Sequence, residues 1–207
     1  MSFHTEDTVF RFFEKKRQAV EFIVAGLGNP GAKYEATRHN AGFMCADFIC
    51  DRLAVKPKKY QFKALTCRAE IEGRGVLIIK PQTFMNESGE AVAEAASFYK
   101  IPPERVIVIC DDVSFDAGGM RVRPSGSDGG HNGLKSIAGR LKSENYPRIK
   151  LGVGKKPEQY DLAAWVLATL PGADREALAE RFPDAFEALK RIVCGDMQAA
   201  QALNRKQ

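Results

Sequence analysis

VLIIKPQTFMNESGEAVAEAASFYKIPPERVIVIC (76–110) contains two short apolar runs rich in β-branched residues, VLIIK (76–80) and RVIVIC (105–110). Between them lies an Ala-rich stretch, 87–100, with helical character, closed by Ile101-Pro102-Pro103-Glu104. Continuous apolar runs this short suit strands buried on both faces. A strand, a helix and a second strand make a parallel crossover, and such crossovers are right-handed in nearly all cases. The segment therefore predicts an α/β sheet with helices packed on it.

The same pattern continues outward. EFIVAG (21–26) reads as a buried strand, followed by a loop rich in Gly, Asn and Pro to about Arg38. Residues 40–54 read as a helix with an apolar stripe of Cys45, Ala46, Ile49, Cys50 and Leu53. ALTCRAEI (64–71) pairs with VLIIK through a turn at EGRG, giving an antiparallel hairpin. MRVR (120–123) and RIKLGVG (148–154) read as strands, and Leu134–Leu141 as a helix between them. The remainder reads as helical, broken at Pro171 and Pro183. The fold expected is a single α/β domain with a mixed, twisted β-sheet flanked by helices on both faces. Residues 1–20 stand apart as an N-terminal extension of the domain 21–207.

Composition narrows the class. The chain has 207 residues, 44% hydrophobic and 28% charged, which excludes a disordered, collagen-like or coiled-coil chain. No apolar run approaches the ~18 residues of a membrane span. The N-terminus lacks the apolar core of a secretory signal. Five cysteines without a CxxC suit buried thiols in a reducing cytoplasm.

The net charge of +5 is unevenly spread. From Arg121 to Lys156 there are nine basic residues against Asp128 and Glu144, so this window carries +7 and the rest of the chain −2. Such a patch suits a polyanionic partner, though a basic solvated face would look the same.

Gly26-Leu27-Gly28-Asn29-Pro30-Gly31 matches the GxGxxG of dinucleotide folds. Three features oppose that reading. Asn-Pro-Gly makes a turn where a helix should open. The helix begins about ten residues late. Asp47 falls mid-helix and not at a strand end.

Ligands in open α/β sheets gather at the carboxyl ends of strands. Here those exits carry Asn29, His39 and Asn40, then Asn86, then Asp111 and Asp112, then His131 and Asn132. Asn40 and Asn132 could equally be helix caps. A histidine with an acidic partner has its tautomer fixed and its charged form stabilised, as a general base requires. The spacing fits no zinc site, and no GxSxG marks a serine nucleophile. A His–Asp pair among neutral amides suits activation of a water, with the amides orienting water, substrate and oxyanion.

AGLGNPGAKYEATRHNAGF (25–43), KPQTFMNESGEAV (80–92), ICDDVSFDAGGMRVRPSG (109–126), GGHNGLKSI (129–137) and YPRIKLGVG (146–154) together resemble the bacterial-type peptidyl-tRNA hydrolases. The resemblance runs in order from about residue 21 to 205. It implies a cytoplasmic, monomeric esterase that cleaves the ester joining a peptide to the 3′-terminal ribose of tRNA, without metal or cofactor. By the same resemblance His39 is the catalytic histidine and Asp111 its acid. Asn29, Tyr34, Met85, Asn86, His131 and Asn132 bind substrate, Asn132 also holding the attacking water. Arg121, Arg123, Arg148 and Lys150 fall where the family meets tRNA acceptor-arm phosphates. The alternative is an RNA-binding or splicing-type member of the superfamily with little hydrolysis; the intact set of His39, Asp111 and three asparagines favours the enzyme. Two departures stand out. The family's DELD reads Asp111-Asp112-Val113-Ser114, and Asp128 puts an acid in the Gly-rich loop. The first leaves catalysis intact but bears on loop rigidity. The second would weaken phosphate attraction nearby.

Overall fold

The computed structural model describes residues 18–204. The N-terminal residues 1–17, most of the expected extension, lie outside the described residues. The strands are β1 (Phe22–Gly26), β2 (Lys59–Gln61), β3 (Ala64–Ile71), β4 (Arg74–Pro81), β5 (Val106–Asp112), β6 (Met120–Arg123) and β7 (Arg148–Gly152). They form one sheet in the order β2-β3-β4-β1-β5-β7-β6. The four middle strands are parallel, while β2, β3 and β6 join the edges antiparallel. This is the mixed sheet expected. The crossover from β4 to β5 does not join neighbours, because β1 fills the place between them with Ile23 opposite both Leu77 and Val106.

The helices are α1 (Ala41–Arg52), α2 (Ser88–Tyr99), α3 (Asn132–Leu141), α4 (Leu162–Leu167), α5 (Gly172–Ala179), α6 (Phe182–Val193) and α7 (Met197–Ala202). Alternate residues of each middle strand feed two separate cores. Val24, Ile78, Ile107, Ile109, Ile149 and Leu151 pack with Cys45 and Ile49 of α1 and Ala185, Leu189 and Ile192 of α6. Ile23, Ala25, Leu77, Ile79, Val106 and Val108 pack with Val92 and Ala95 of α2 and Leu134 and Ile137 of α3. Pro183 does not break a helix. It sits in the first turn of α6, where its missing N–H costs nothing.

The Gly26–Gly31 segment turns out to serve packing. A Cβ on Gly28 would lie 2.5 Å from the Phe43 ring, and one on Gly42 would collide with the backbone of Leu27 and Ile109. These glycines let α1 lie against β1 and β5. No helix opens there; two short 3₁₀ turns, Ala32–Tyr34 and Arg38–Asn40, precede α1. Asp47 is held by Lys80 Nζ at 2.6 Å. The parallel strands all end on one side of the sheet, and the polar loop residues collect there.

Candidate active site

Asp111, near the end of β5, is 2% exposed. Its Oδ1 accepts the Nδ1–H of His39 at 2.9 Å and the Nε2–H of His131 at 3.0 Å. The tautomers follow from the partners. His131 is the N-cap of α3, and its Nδ1 accepts the backbone N–H groups of Gly133 (3.1 Å) and Leu134 (3.3 Å). That nitrogen carries no proton, so Nε2 does and donates to Asp111. A carboxylate only accepts, so His39 donates from Nδ1 and keeps a lone pair on Nε2. Burial by itself would push the Asp111 carboxyl up. The two imidazoles, by charge and by hydrogen bond, outweigh it and hold the carboxyl well below the usual aspartate value of 3.8. His39, Asp111 and His131 are also close enough to be considered as metal ligands. The nitrogens nearest the carboxylate already share one of its oxygens as hydrogen-bond donors, and a cation there would have to displace both protons.

Asn40, beside His39 in the same 3₁₀ turn, does not cap α1 through its side chain. Its Oδ1 accepts the Asn29 N–H at 2.8 Å and its Nδ2 donates to the Asn29 carbonyl at 3.0 Å. The Asn29 backbone is thereby clamped. Asn29 Oδ1 accepts the Met85 N–H at 2.8 Å, which settles the side-chain amide and leaves Nδ2 for another acceptor.

These groups border a cavity of about 650 Å³. Its floor is polar: Asn29, His39, Asn86, Asp111, His131, Asn132 and Lys150. Its walls include the apolar side chains of Tyr34, Phe84, Met85, Leu162, Val166 and Leu167. A polar floor and apolar walls suit a substrate with one reacting polar group and an apolar body.

The basic residues divide. Arg121 faces Lys150 across β6–β7, and Arg123 faces Arg148, so all four rise from one face of the sheet. Arg123 is exposed. The Arg121 guanidinium lies 4.0 Å from the Phe115 ring centroid. Lys150 lines the cavity and pairs with Asp112 Oδ2 at 2.8 Å. Arg148 departs from the expectation. It is 2% exposed, donates to the carbonyls of Ser127 and Glu144, and lies over the Tyr146 ring. Its Nη1 and Nη2 hold a loop, its Nε has no partner among the described residues, and burial closes the side chain off from solvent. The two sequence departures have local roles. Ser114 donates its N–H and hydroxyl to Asp112 Oδ1 at 2.9 and 2.5 Å, leaving the other oxygen for Lys150. Asp128 Oδ1 accepts the Gly130 N–H at 2.7 Å and so shapes the Gly-rich loop.

Residues 23–207 match the family model described as peptidyl-tRNA hydrolase. The chain belongs to the peptidyl-tRNA hydrolase family. A peptidyl-tRNA hydrolase of Clostridium novyi is 45% identical over 184 residues, which is 89% of this chain and 96% of that protein. One from Caldanaerobacter subterraneus subsp. tengcongensis is 44% identical over 181 residues, 87% of this chain and 97% of the relative. The crystal structure of peptidyl-tRNA hydrolase from Acinetobacter baumannii superposes with a TM-score of 0.84 at 30% identity, covering 92% of this chain and 97% of that one.

Within this peptidyl-tRNA hydrolase fold, three functional features escaped sequence reading. Asn40 looked like a helix cap and is a clamp. Phe84 adjoins the quoted Met85-Asn86 yet gave no signal of its own. The α4 wall lay in a stretch read only as helical. Leu162, Val166 and Leu167 at spacings of four and five could have marked an apolar face there.

Proposed function

We propose that the protein hydrolyses the ester bond of peptidyl-tRNA, releasing the peptide and returning free tRNA from stalled or aborted translation. His39 carries the reaction. Its Nε2 takes a proton from a water as the water oxygen attacks the ester carbonyl. The side-chain amides of Asn29, Asn86 and Asn132 border that point and supply donors for the developing oxyanion and the water. Collapse breaks the bond to the ribose 3′-oxygen, which takes the proton back from His39. Asp111 stabilises the imidazolium in between. Tyr34 and Met85 contact the acyl body from the wall.

The observation that supports this reading best is the His39 imidazole, held through Nδ1 by buried Asp111 with Nε2 unpartnered among the described residues at a cavity edge. Arg121, Arg123 and Lys150 serve the tRNA backbone in this reading, and Arg148 serves the loop beside them. None of the described helices is long and apolar enough to cross a membrane. We take the enzyme to act as a monomer in the cytoplasm, with no metal or cofactor.

An N-blocked aminoacyl-tRNA tests the proposal. The wild type should release the acyl group, and His39→Ala should lose on the order of 10²–10⁴-fold in turnover while still binding tRNA. If the variant kept more than about a third of the rate, another base would be required. Tight tRNA binding by a wild type that hydrolyses nothing would instead mark an RNA-binding protein.

A further inference from the structure

The 3₁₀ turn Arg38–Asn40 sends three consecutive side chains in three directions, only His39 lining the cavity. His39 goes to Asp111, Asn40 goes to the Asn29 backbone, and Arg38 goes to the wall. Arg38 is 4% exposed. Its Nε donates to the Val153 carbonyl at 3.1 Å, and its Nη1 to Thr169 at 3.2 Å and Ala168 at 3.5 Å. Its guanidinium carbon lies 3.8 Å from the centroid of the Trp165 ring. Nη2 is 3.8 Å from Asp174 Oδ2. The fork therefore grips both ends of the segment 153–170 and stacks on its middle.

Both ends of that segment are tied to the domain, but among the described residues α4 itself makes few bonds outward. α4 has six residues, far too few to be stable alone. It buries only Val166, and Leu162 and Leu167, 37% and 43% exposed, line the cavity. At the start of the segment the Val153, Gly154 and Lys156 N–H groups donate to the carbonyls of Asp112, Phe115 and Val113, and Lys155 pairs with Asp116. At its far end the ties are the Thr37–Thr169 bridge, Leu170 N–H to the Ala36 carbonyl and Arg38 N–H to the Ala168 carbonyl, all from the turn region of Arg38. Between them Trp165 Nε1–H bonds the Gly154 carbonyl.

We propose that Arg38 is a positioning residue that latches α4 onto the His39 turn, and so sets how tightly the apolar acyl part of the substrate is held without taking part in the chemistry. This rests on the ester-hydrolase reading for its substrate, but the latch itself is a property of the wall. Only a planar, multi-donor cation can bond Val153 and Thr169 while stacking on Trp165, so lysine is a poor substitute.

Trp165 is the only tryptophan in the chain, so its emission reports the latch directly. Arg38→Lys, Arg38→Met and Asp174→Asn would be compared with wild type. In the Arg38 variants the Trp165 emission should shift to the red and become more open to acrylamide quenching. KM for an N-blocked leucyl-tRNA should rise about tenfold, with kcat within about threefold of wild type. Affinity for deacylated tRNA should not change. Asp174→Asn should move both readouts in the same direction by less. If Arg38→Met does not fold, Trp165→Leu replaces it, with the same KM rise expected. Unchanged quenching and unchanged KM in a folded Arg38→Lys would overturn the latch. A fall in kcat with quenching and KM unchanged would also overturn it, placing Arg38 with His39 in the chemistry. If the wild type lacked hydrolysis, the quenching comparison would still decide the latch while the ester reading failed.

Discussion

Asp111 gathers two imidazole N–H groups on one oxygen, and the two histidines are not equivalent. His39 turns its other nitrogen to the cavity, whereas His131 spends its own on the first turn of α3. Asp111→Asn keeps an acceptor but loses the charge that offsets an imidazolium. Its kcat should fall on the order of 10²-fold with KM nearly unchanged, by steady-state assay. The same carboxyl governs acid stability. Its folded-state value lies below its unfolded one, and Asp112 is shifted the same way, with burial opposing Lys150 and Ser114. Both contributions are present above the ordinary value of 3.8 and drain away as pH falls through the folded values. The melting temperature should drop below about pH 4, and Asp111→Asn should show a shallower drop. Identical slopes would assign acid loss to other groups. His131 separates by substitution. Asparagine can cap α3 but cannot reach Asp111, and alanine does neither. The two variants should share a lowered kcat, while urea unfolding separates their stabilities by about 1 kcal/mol.

At the scale of elements, α1 has to lie almost on the backbone of β1 and β5. A methyl on Gly42 would strike the carbonyl of Ile109 in β5 and that of Leu27 just after β1, backbone that cannot swing aside. Gly42→Ala should therefore cost about 3 kcal/mol in denaturant unfolding, toward the upper end for overpacking. A loss under about 0.5 kcal/mol would mean that α1 can slide. The same elements show what sequence conveys. Apolar runs and turn residues located every strand but β2, because a strand buried on both faces must be apolar throughout, whereas the three-residue edge strand Lys59–Gln61 is polar and exposed. The place of β1 between β4 and β5 was not legible, since nothing local distinguishes a central strand from its neighbour. Period two put Arg148 and Lys150 on one face correctly. It could not say that the loop at Ser127 would close over Arg148. The His39–Asp111 pairing was readable from strand exits. The second donor on Asp111 was hidden because Asn132 looked the better cap.

Across the whole molecule, the sheet edge at β6 carries its charge toward solvent among the described residues. Arg123 is exposed there, and Arg121 is partly so. If this face meets phosphates, replacing Arg123 with Ala should raise KM for many tRNAs by similar factors. The log–log salt dependence should flatten by somewhat under one unit. A minimal ester without the tRNA body should be hydrolysed at the wild-type rate. One tRNA suffering far more than the others would indicate base readout.

The central place of β1 also sets an order of events during synthesis. FIVAG leaves the ribosome before every other described strand, yet its partners are Val76–Ile79 and Val106–Ile109. At ~5–20 residues per second, the stretch from Ile23 to Val106 takes several seconds to make. One edge of this apolar strand can pair once Ile79 has emerged, but the other waits for Val106–Ile109, exposed to aggregation or to a chaperone. His39 is translated early, Asp111 and His131 later, and Asp174 at the end of the Arg38 fork later still. The nascent chain therefore cannot assemble the His39–Asp111–His131 cluster until the stretch through His131 has emerged.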